Sequence, residues 1–282
     1  MSNERTIVIT GATGNQGGAV TRELIGKGFR LRAVTRKPDG DAAKALAAQG
    51  VDLVTADLDD EASLAKAFEG AWGLFAVQNT WEAGVEREET QGKRVAKVAK
   101  QVGVQHFVYT SVGSAHLSTG IPHFDNKARV EATVTSLGFP SHVIMRPVFF
   151  MENLLSPWFL HGDKLVSALQ PTTKVQMVAV QDIGKLGARA FTHAAAMNGH
   201  AIDLAGDAVT MPQAAAALGR ALGRTIDYVQ IPMSEIRKNS EDFALMLEWF
   251  ERVGYSADIA GLRSKYDLAL TDFETWAARQ KA

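Results

Sequence analysis

The opening segment constrains this chain most. Thr6-Ile7-Val8-Ile9-Thr10 is a short β-branched run that reads as a buried strand, and it stops at Gly11. The turn Thr10-Gly11-Ala12-Thr13-Gly14-Asn15-Gln16-Gly17 follows, then a helical stretch from about Gly17 to Gly26. Glycines let the backbone bend tightly and approach a pyrophosphate. The helix behind them offers N–H groups without intrahelical partners and the positive end of its dipole. The spacing is Gly-x-x-Gly-x-x-Gly, which departs from the G-x-G-x-x-G of ordinary dinucleotide folds. Glycines alone mark only a turn; between a strand and a helix they mark the seat of a phosphate-bearing ligand.

The rest of the first half keeps the same rhythm. Strands are expected at Arg30–Thr35, Val51–Ala56, Leu74–Val77, Val104–Thr110 and His142–Arg146, with helices at Ala42–Gln49, Glu61–Glu69, Val85–Gly103 and Phe124–Leu137. Such alternation predicts an α/β fold, a Rossmann-type doubly wound parallel sheet covered on both faces. After Pro147 the rhythm changes. Phe149-Phe150-Met151 and Pro157-Trp158-Phe159-Leu160 are aromatic without a clear period. Added strands are expected at Val175–Val180 and Ala201–Leu204, with a helix at Ile183–Phe191. Thr210-Met211-Pro212-Gln213 has capping-box spacing and starts another helix, and the tail from Ser234 is mostly helical. The expected division is a dinucleotide-binding domain over 1–150 and a smaller C-terminal α/β lobe over 151–282, which forms the ligand crevice and returns strands to the main sheet.

Composition narrows the chemistry. Of 282 residues 46% are hydrophobic, enough for a sizeable core without staples. There is no cysteine, so disulfides, thiolate metal sites and cysteine nucleophiles are excluded, and a cytoplasmic location fits. The formal charge is -1 and no basic run stands out, which argues against nucleic acid as a partner. Met1-Ser2-Asn3-Glu4-Arg5 leads straight into the first strand without an apolar targeting core, and no segment approaches the roughly 20 apolar residues of a membrane span. The seven histidines include no H-E-x-x-H pairing, so no metal is expected; there is no G-x-S-x-G elbow. Asp59-Asp60 and Glu88-Glu89 read as helix-terminus or solvated-face carboxylates.

The end of the second strand selects between cofactors. An Asp or Glu there would accept from the 2′-hydroxyl of NAD. This chain has Arg36, then Lys37. A guanidinium holds a 2′-phosphate through paired charge-assisted bonds where a carboxylate would repel it, so NADP(H) is preferred and NAD(H) remains possible. Asp57, after the third strand, either meets the adenine edge or caps the helix from Glu61. Gln78, Asn79 and Thr80 follow the fourth strand, where this fold places its ligand crevice. Trp81 is either a wall of that crevice or, as the commoner role, lobe packing.

Four segments together resemble the NmrA-like family, atypical members of the short-chain dehydrogenase/reductase superfamily. They are the Gly11–Gly17 loop, Val34-Thr35-Arg36, Pro122-His123-Phe124-Asp125-Asn126-Lys127 and Glu152-Asn153-Leu154-Leu155, with Phe273-Glu274-Thr275-Trp276 extending the likeness to the end of the chain. The resemblance implies that Gly11, Thr13, Gly14, Asn15, Gln16 and Gly17 cradle the diphosphate and that Arg36 faces the 2′-phosphate. It further implies that Asp57 and Leu58 border the adenine and that Gln78, Asn79 and Thr80 lie along the nicotinamide ribose. Lys127, with Phe149 and Asn153, would close over the nicotinamide end.

The superfamily's usual acid is a tyrosine four residues before a lysine, one helical turn away on the same face. Four residues beyond Tyr109, Tyr228, Tyr255 and Tyr266 stand Gly113, Pro232, Ile259 and Leu270, so none has the pairing. Lys127 has a partner at that offset, but it is His123. An imidazole ring there can donate a hydrogen bond. His123 is thus a candidate acid or a local helix-start residue, and Lys127 a ribose ligand. Ser111 and Ser114 are either polar substrate contacts or turn residues. Two functions follow as expectations: an NADPH-dependent reductase of quinone-like or other conjugated small molecules, walled by Phe149 and Phe150, or a non-catalytic redox sensor that acts through a regulated protein partner.

Overall fold

A computed structural model describes residues 5–280; the expectation for Met1–Glu4 lies outside them. In chain order the elements are β1 (Thr6–Ile9), α1 (Asn15–Leu24), β2 (Arg30–Thr35), α2 (Asp41–Ala47), β3 (Asp52–Thr55), α3 (Glu61–Phe68), β4 (Gly73–Ala76), α4 (Thr80–Ala83), α5 (Val85–Gln101), β5 (His106–Thr110), α6 (Pro122–Ser136) and β6 (Ser141–Pro147). There follow β7 (Phe149–Phe150), β8 (Leu160–His161), β9 (Lys164–Ser167), β10 (Lys174–Val178), α7 (Val180–Thr192), α8 (Ala194–Met197), β11 (Ala201–Leu204) and β12 (Asp207–Thr210). The last are α9 (Met211–Leu222), β13 (Asp227–Gln230), α10 (Met233–Asn239), α11 (Glu241–Arg252), α12 (Ile259–Tyr266) and α13 (Phe273–Ala278).

The described residues divide into two compact units. The first comprises those up to Ser111 with Asn126–Arg146 and Ile183–Ile202; the second comprises Val112–Asp125, Pro147–Asp182 and those from Asp203 on.

A seven-stranded sheet runs in the order β11-β6-β5-β4-β1-β2-β3, and β1 to β6 pair in parallel. The order reverses between β1 and β4, which is where an open parallel sheet leaves a crevice at its strand ends. Ile7, Val8 and Ile9 are fully buried, as are Leu74, Phe75, Phe107 and Val108. These continuous apolar runs are what a sheet covered on both faces needs. The Thr10 hydroxyl donates to the Val77 carbonyl at 3.1 Å and accepts from the Val77 N–H at 2.8 Å, tying the end of β1 to the end of β4. Close helix packing explains two glycines of α7. A Cβ on Gly184 would lie 2.7 Å from the Ala19 carbonyl oxygen of α1, and one on Gly187 would lie 2.5 Å from a Val20 methyl.

In the second unit β10 pairs in parallel with β7 and antiparallel with β12, while β9 pairs with β13 and β8. Its core is aromatic: Phe149 meets Phe159 and Phe250 edge-on at centroid distances of 5.5 and 6.2 Å, and Trp249 meets Tyr255 at 5.5 Å. The capping box at α9 is formed as expected. Thr210 N–H donates to Gln213 Oε1 at 2.9 Å and Gln213 N–H to Thr210 Oγ1 at 3.3 Å.

Several boundaries differ from the expectations. The helix after the glycine turn starts at Asn15, not Gly17, because Gly14 already occupies the cap position with extended backbone. Val180 opens α7 rather than ending a strand: Ala179 turns the chain, and its carbonyl accepts from Asp182 N–H at 2.9 Å. The aromatic stretch after Pro147 contains β7, a 3-10 turn over Met151–Leu155 and β8. Elements of two to five residues are too short to show a period.

Candidate functional site

Two positions of the glycine turn, Gly11 and Gly17, admit only glycine. Gly11 has φ +59°, and a Cβ there would strike a Val77 methyl at 2.5 Å. A Cβ on Gly17 would lie 2.4 Å from the Gly11 oxygen and 2.6 Å from that of Thr10, both backbone atoms that cannot yield. Gly14 N–H donates to the Gly11 carbonyl at 2.9 Å and closes the turn. Among the described residues no side chain caps α1. Its first-turn N–H groups, on Asn15, Gln16 and Gly17, therefore belong to a helix N-terminus able to receive an anion. Thr13 and Asn15 are exposed beside it, and the Gln16 carboxamide oxygen accepts from Thr110 Oγ1 at 2.6 Å.

Arg36 stands just beyond β2, its side chain 59% exposed, and its guanidinium pairs with Glu82 of α4. Hydrogen bonding to Glu82 holds the Arg36 pKa above its ordinary value, with Asp57 adding a smaller charge effect. Of the two roles weighed for Asp57, the helix cap falls to another residue. The cap of α3 is Asp60, whose carboxylate accepts from Ala62 and Ser63 N–H at 3.0 and 3.3 Å. Asp57 instead accepts from Asp59 N–H at 2.9 Å in a local turn. Leu58 packs on the core cluster of the first unit.

After β4 the three expected residues diverge. Gln78 is buried, and neither atom of its carboxamide has a hydrogen-bond partner among the described residues. Asn79 caps α4, accepting from Trp81 N–H at 3.1 Å. Thr80 is buried and donates to Glu88. Trp81, read as a crevice wall or, more commonly, as lobe packing, is 64% exposed, which excludes the packing role; the four-residue α4 buries only Thr80.

Glu88 is the largest correction. Read as a helix-terminus or solvated-face carboxylate, it does stand in the first turn of α5, yet it is 1% exposed. The apolar residues Val95, Ala96, Val98 and Ala99 set the buried face of α5, and Glu88 lies on the same buried side about two to three turns earlier. Its carboxylate accepts from Lys127 Nζ, from Thr80 Oγ1 and, at 2.8 Å, from Asn126 Nδ2.

His123 and Lys127 therefore have separate carboxylates. The His123 ring is buried and places Nδ1 2.8 Å from both oxygens of Asp242, at the start of α11. Asp242 escaped the sequence reading because it lies 119 residues from its partner and carries no local signal. Three of the tyrosines are unsuited to acid catalysis. Burial raises the pKa of Tyr109 and Tyr255 well above the usual phenol value and that of Tyr228 to about 12. An activated tyrosine needs the opposite shift. Ser111 Oγ is buried without a partner among the described residues, and Ser114, at φ +61°, donates its N–H to Asp203 at 2.6 Å.

In the second unit Phe149 is core, while Asn153 is half-buried in the 3-10 turn and its carbonyl accepts from Ser156. The neighbouring Glu152 joins two segments that carried the family likeness. Its Oε1 accepts from the Trp276 indole at 3.1 Å and from Val180 N–H at 3.0 Å, and burial raises its pKa. The NmrA-like family model matches residues 3–277.

The chain belongs to the NmrA-like family.

Among its relatives, the NmrA-like family domain-containing oxidoreductase himF of Aspergillus japonicus is 36% identical over 160 residues. That match covers 54% of this chain and 48% of himF, so the NmrA-like chain aligns with about half the length of this curated relative. Among solved structures, the NADPH-dependent quinone oxidoreductase QOR2 of Escherichia coli, complexed with NADPH, is 27% identical with a TM-score of 0.81, covering 97% of this chain and 99% of QOR2. NmrA, a negative transcriptional regulator, in complex with NADP is 24% identical with a TM-score of 0.80, covering 99% and 96%, a likeness of fold. Among the described residues no helix is long and apolar enough to cross a membrane.

Proposed function

We propose that this NmrA-like protein binds NADP(H) in preference to NAD(H) and uses it to reduce quinone-like or other conjugated small molecules. The observation that carries the binding half is the turn at Gly11–Gly17, where a Cβ at Gly17 would overlap the backbone and α1 begins without a side-chain cap. A diphosphate suits that geometry through charge-assisted N–H bonds. Arg36 supplies the cation for a 2′-phosphate. Lys127 offers its ammonium to ribose hydroxyls, and Gln78 brings a buried carboxamide with unmet hydrogen bonds near the end of β4. A bound nicotinamide supplies a hydride. The parts given to Phe149, Asn153 and His123 rest on the family resemblance.

Reduction of a quinone draws support from QOR2, whose likeness extends over nearly the whole chain. The chemistry also suits a chain without the Tyr-x-x-x-Lys pair that would activate a tyrosine, since a quinone needs less help from a proton donor than a simple ketone. That same lack of the pair is what favours the second reading, a dinucleotide sensor acting through a protein partner.

The deciding experiment mixes purified protein with NADPH and a panel of quinones, aldehydes and dyes. Decay of the nicotinamide absorbance near 340 nm above a no-protein control, with one hydroquinone formed per NADPH consumed, is the expected result. Tight NADPH binding with no oxidation by any acceptor overturns the reductase and leaves the sensor.

A further inference from the structure

Lysine is a flexible point charge with three donors, so a lysine that must meet a ribose needs something to hold it in place. Lys127 is largely buried, and its ammonium rests on Glu88 Oε1. That contact uses one of its three N–H donors and leaves two, the number needed for adjacent ribose hydroxyls. Glu88 is itself held. Its Oε2 accepts from Thr80 Oγ1 and from Asn126 Nδ2, and the same Asn126 nitrogen donates to the Val85 carbonyl at 2.8 Å. One helical turn beyond Glu88, Gly92 leaves room for Gln78, whose Oε1 lies 3.2 Å from where a Cβ on Gly92 would be. The turn of α5 that carries Glu88 thus lies beside a carboxamide whose hydrogen-bonding groups are buried and unmet among the described residues.

We infer that Glu88 is the positioning residue for Lys127, anchoring its ammonium so that two N–H groups are presented to the nicotinamide ribose. The inference rests on the reading of Lys127 as a ribose ligand and deepens it. Glu88 touches neither cofactor nor acceptor; it acts through Lys127. Because the pair is buried, neutralising Lys127 alone would strand a carboxylate and endanger folding. The test therefore uses Glu88→Gln, close to isosteric, and the charge-free pair Glu88→Gln/Lys127→Met.

Calorimetric titration with two probes separates positioning from structure. NADPH carries the nicotinamide ribose, whereas 2′,5′-ADP carries only the adenosine half with its 2′-phosphate. General damage to the fold weakens both probes, while lost positioning weakens NADPH alone. Glu88→Gln is expected to weaken NADPH about tenfold relative to 2′,5′-ADP, the scale of one charge-assisted hydrogen bond. The double variant should lose no more, because both variants disable the same ammonium. If Glu88→Gln keeps the wild-type ratio and only the double variant loses it, Lys127 holds the ribose unaided and the inference falls. If neither variant changes the ratio, or both probes weaken equally, the ribose reading of Lys127 falls too.

Discussion

Replacing Arg36 by alanine removes the cation assigned to the 2′-phosphate, and the structure sets the size of the effect. A charge-assisted hydrogen-bonded contact contributes about 1.5–3 kcal/mol, which corresponds to roughly 10- to 150-fold in Kd. Arg36 is already engaged, however. Its guanidinium pairs with Glu82, and both side chains are more than half exposed. A 2′-phosphate must displace that carboxylate. Exposed pairs are worth about 0.2–1 kcal/mol, so Glu82→Gln should tighten NADPH by up to about fivefold. NADH, lacking the phosphate, should change less than about twofold in either variant, a surface substitution elsewhere being worth about 0.5 kcal/mol or less. Titration by nicotinamide fluorescence at low and high salt measures all of these, and salt should shrink the NADPH effects. Equal losses of NADPH and NADH on Arg36→Ala would refute the assignment. An unchanged NADPH affinity in Glu82→Gln would refute the competition while leaving Arg36 in place.

Other outcomes follow from single residues. Burial lowers the pKa of His106 from 6.5 to about 4, in a site where the ring stacks on Trp72 and meets Phe191 edge-on. The unfolded chain binds the proton first. Stability is therefore whole above about pH 6.5 and falls as pH drops toward 4, by about 3 kcal/mol. Urea unfolding across that window should show a smaller loss for His106→Phe, and parallel losses would exclude the histidine as the cause. Gly17→Ala places a methyl group against the Gly11 and Thr10 carbonyls. It should cost about 1–3 kcal/mol and abolish dinucleotide binding, checked by thermal unfolding with and without NADPH; unimpaired binding would contradict the cradle. His123→Ala should leave NADPH affinity intact and lower turnover. Equal turnover would assign the His123–Asp242 pair to fastening the start of α6 to α11.

How much was legible depended on the distance over which a signal acts. The glycine turn, the strand–helix alternation and the capping box at Thr210 are all read within a few residues, because turn geometry, side-chain period and capping are local. Those features carried the parallel sheet and the glycine turn. The solvated-face reading of Glu88 failed because a carboxylate beside another carboxylate looks the same whether it faces water or a lysine. Its burial became visible only when Lys127, 39 residues away, and Thr80 met it. Asp242 meets His123 across 119 residues, and Trp276 meets Glu152 across 124. The packing reading of Trp81 failed in the opposite direction, since a large apolar side chain on a helix of four residues has too little helix to bury it. The sequence by itself determined the sheet and the glycine cradle, because both follow from backbone freedom and local periodicity. Only the tertiary structure decided which charges are buried and with whom, because a buried ion pair exists only once distant segments have displaced the water between them.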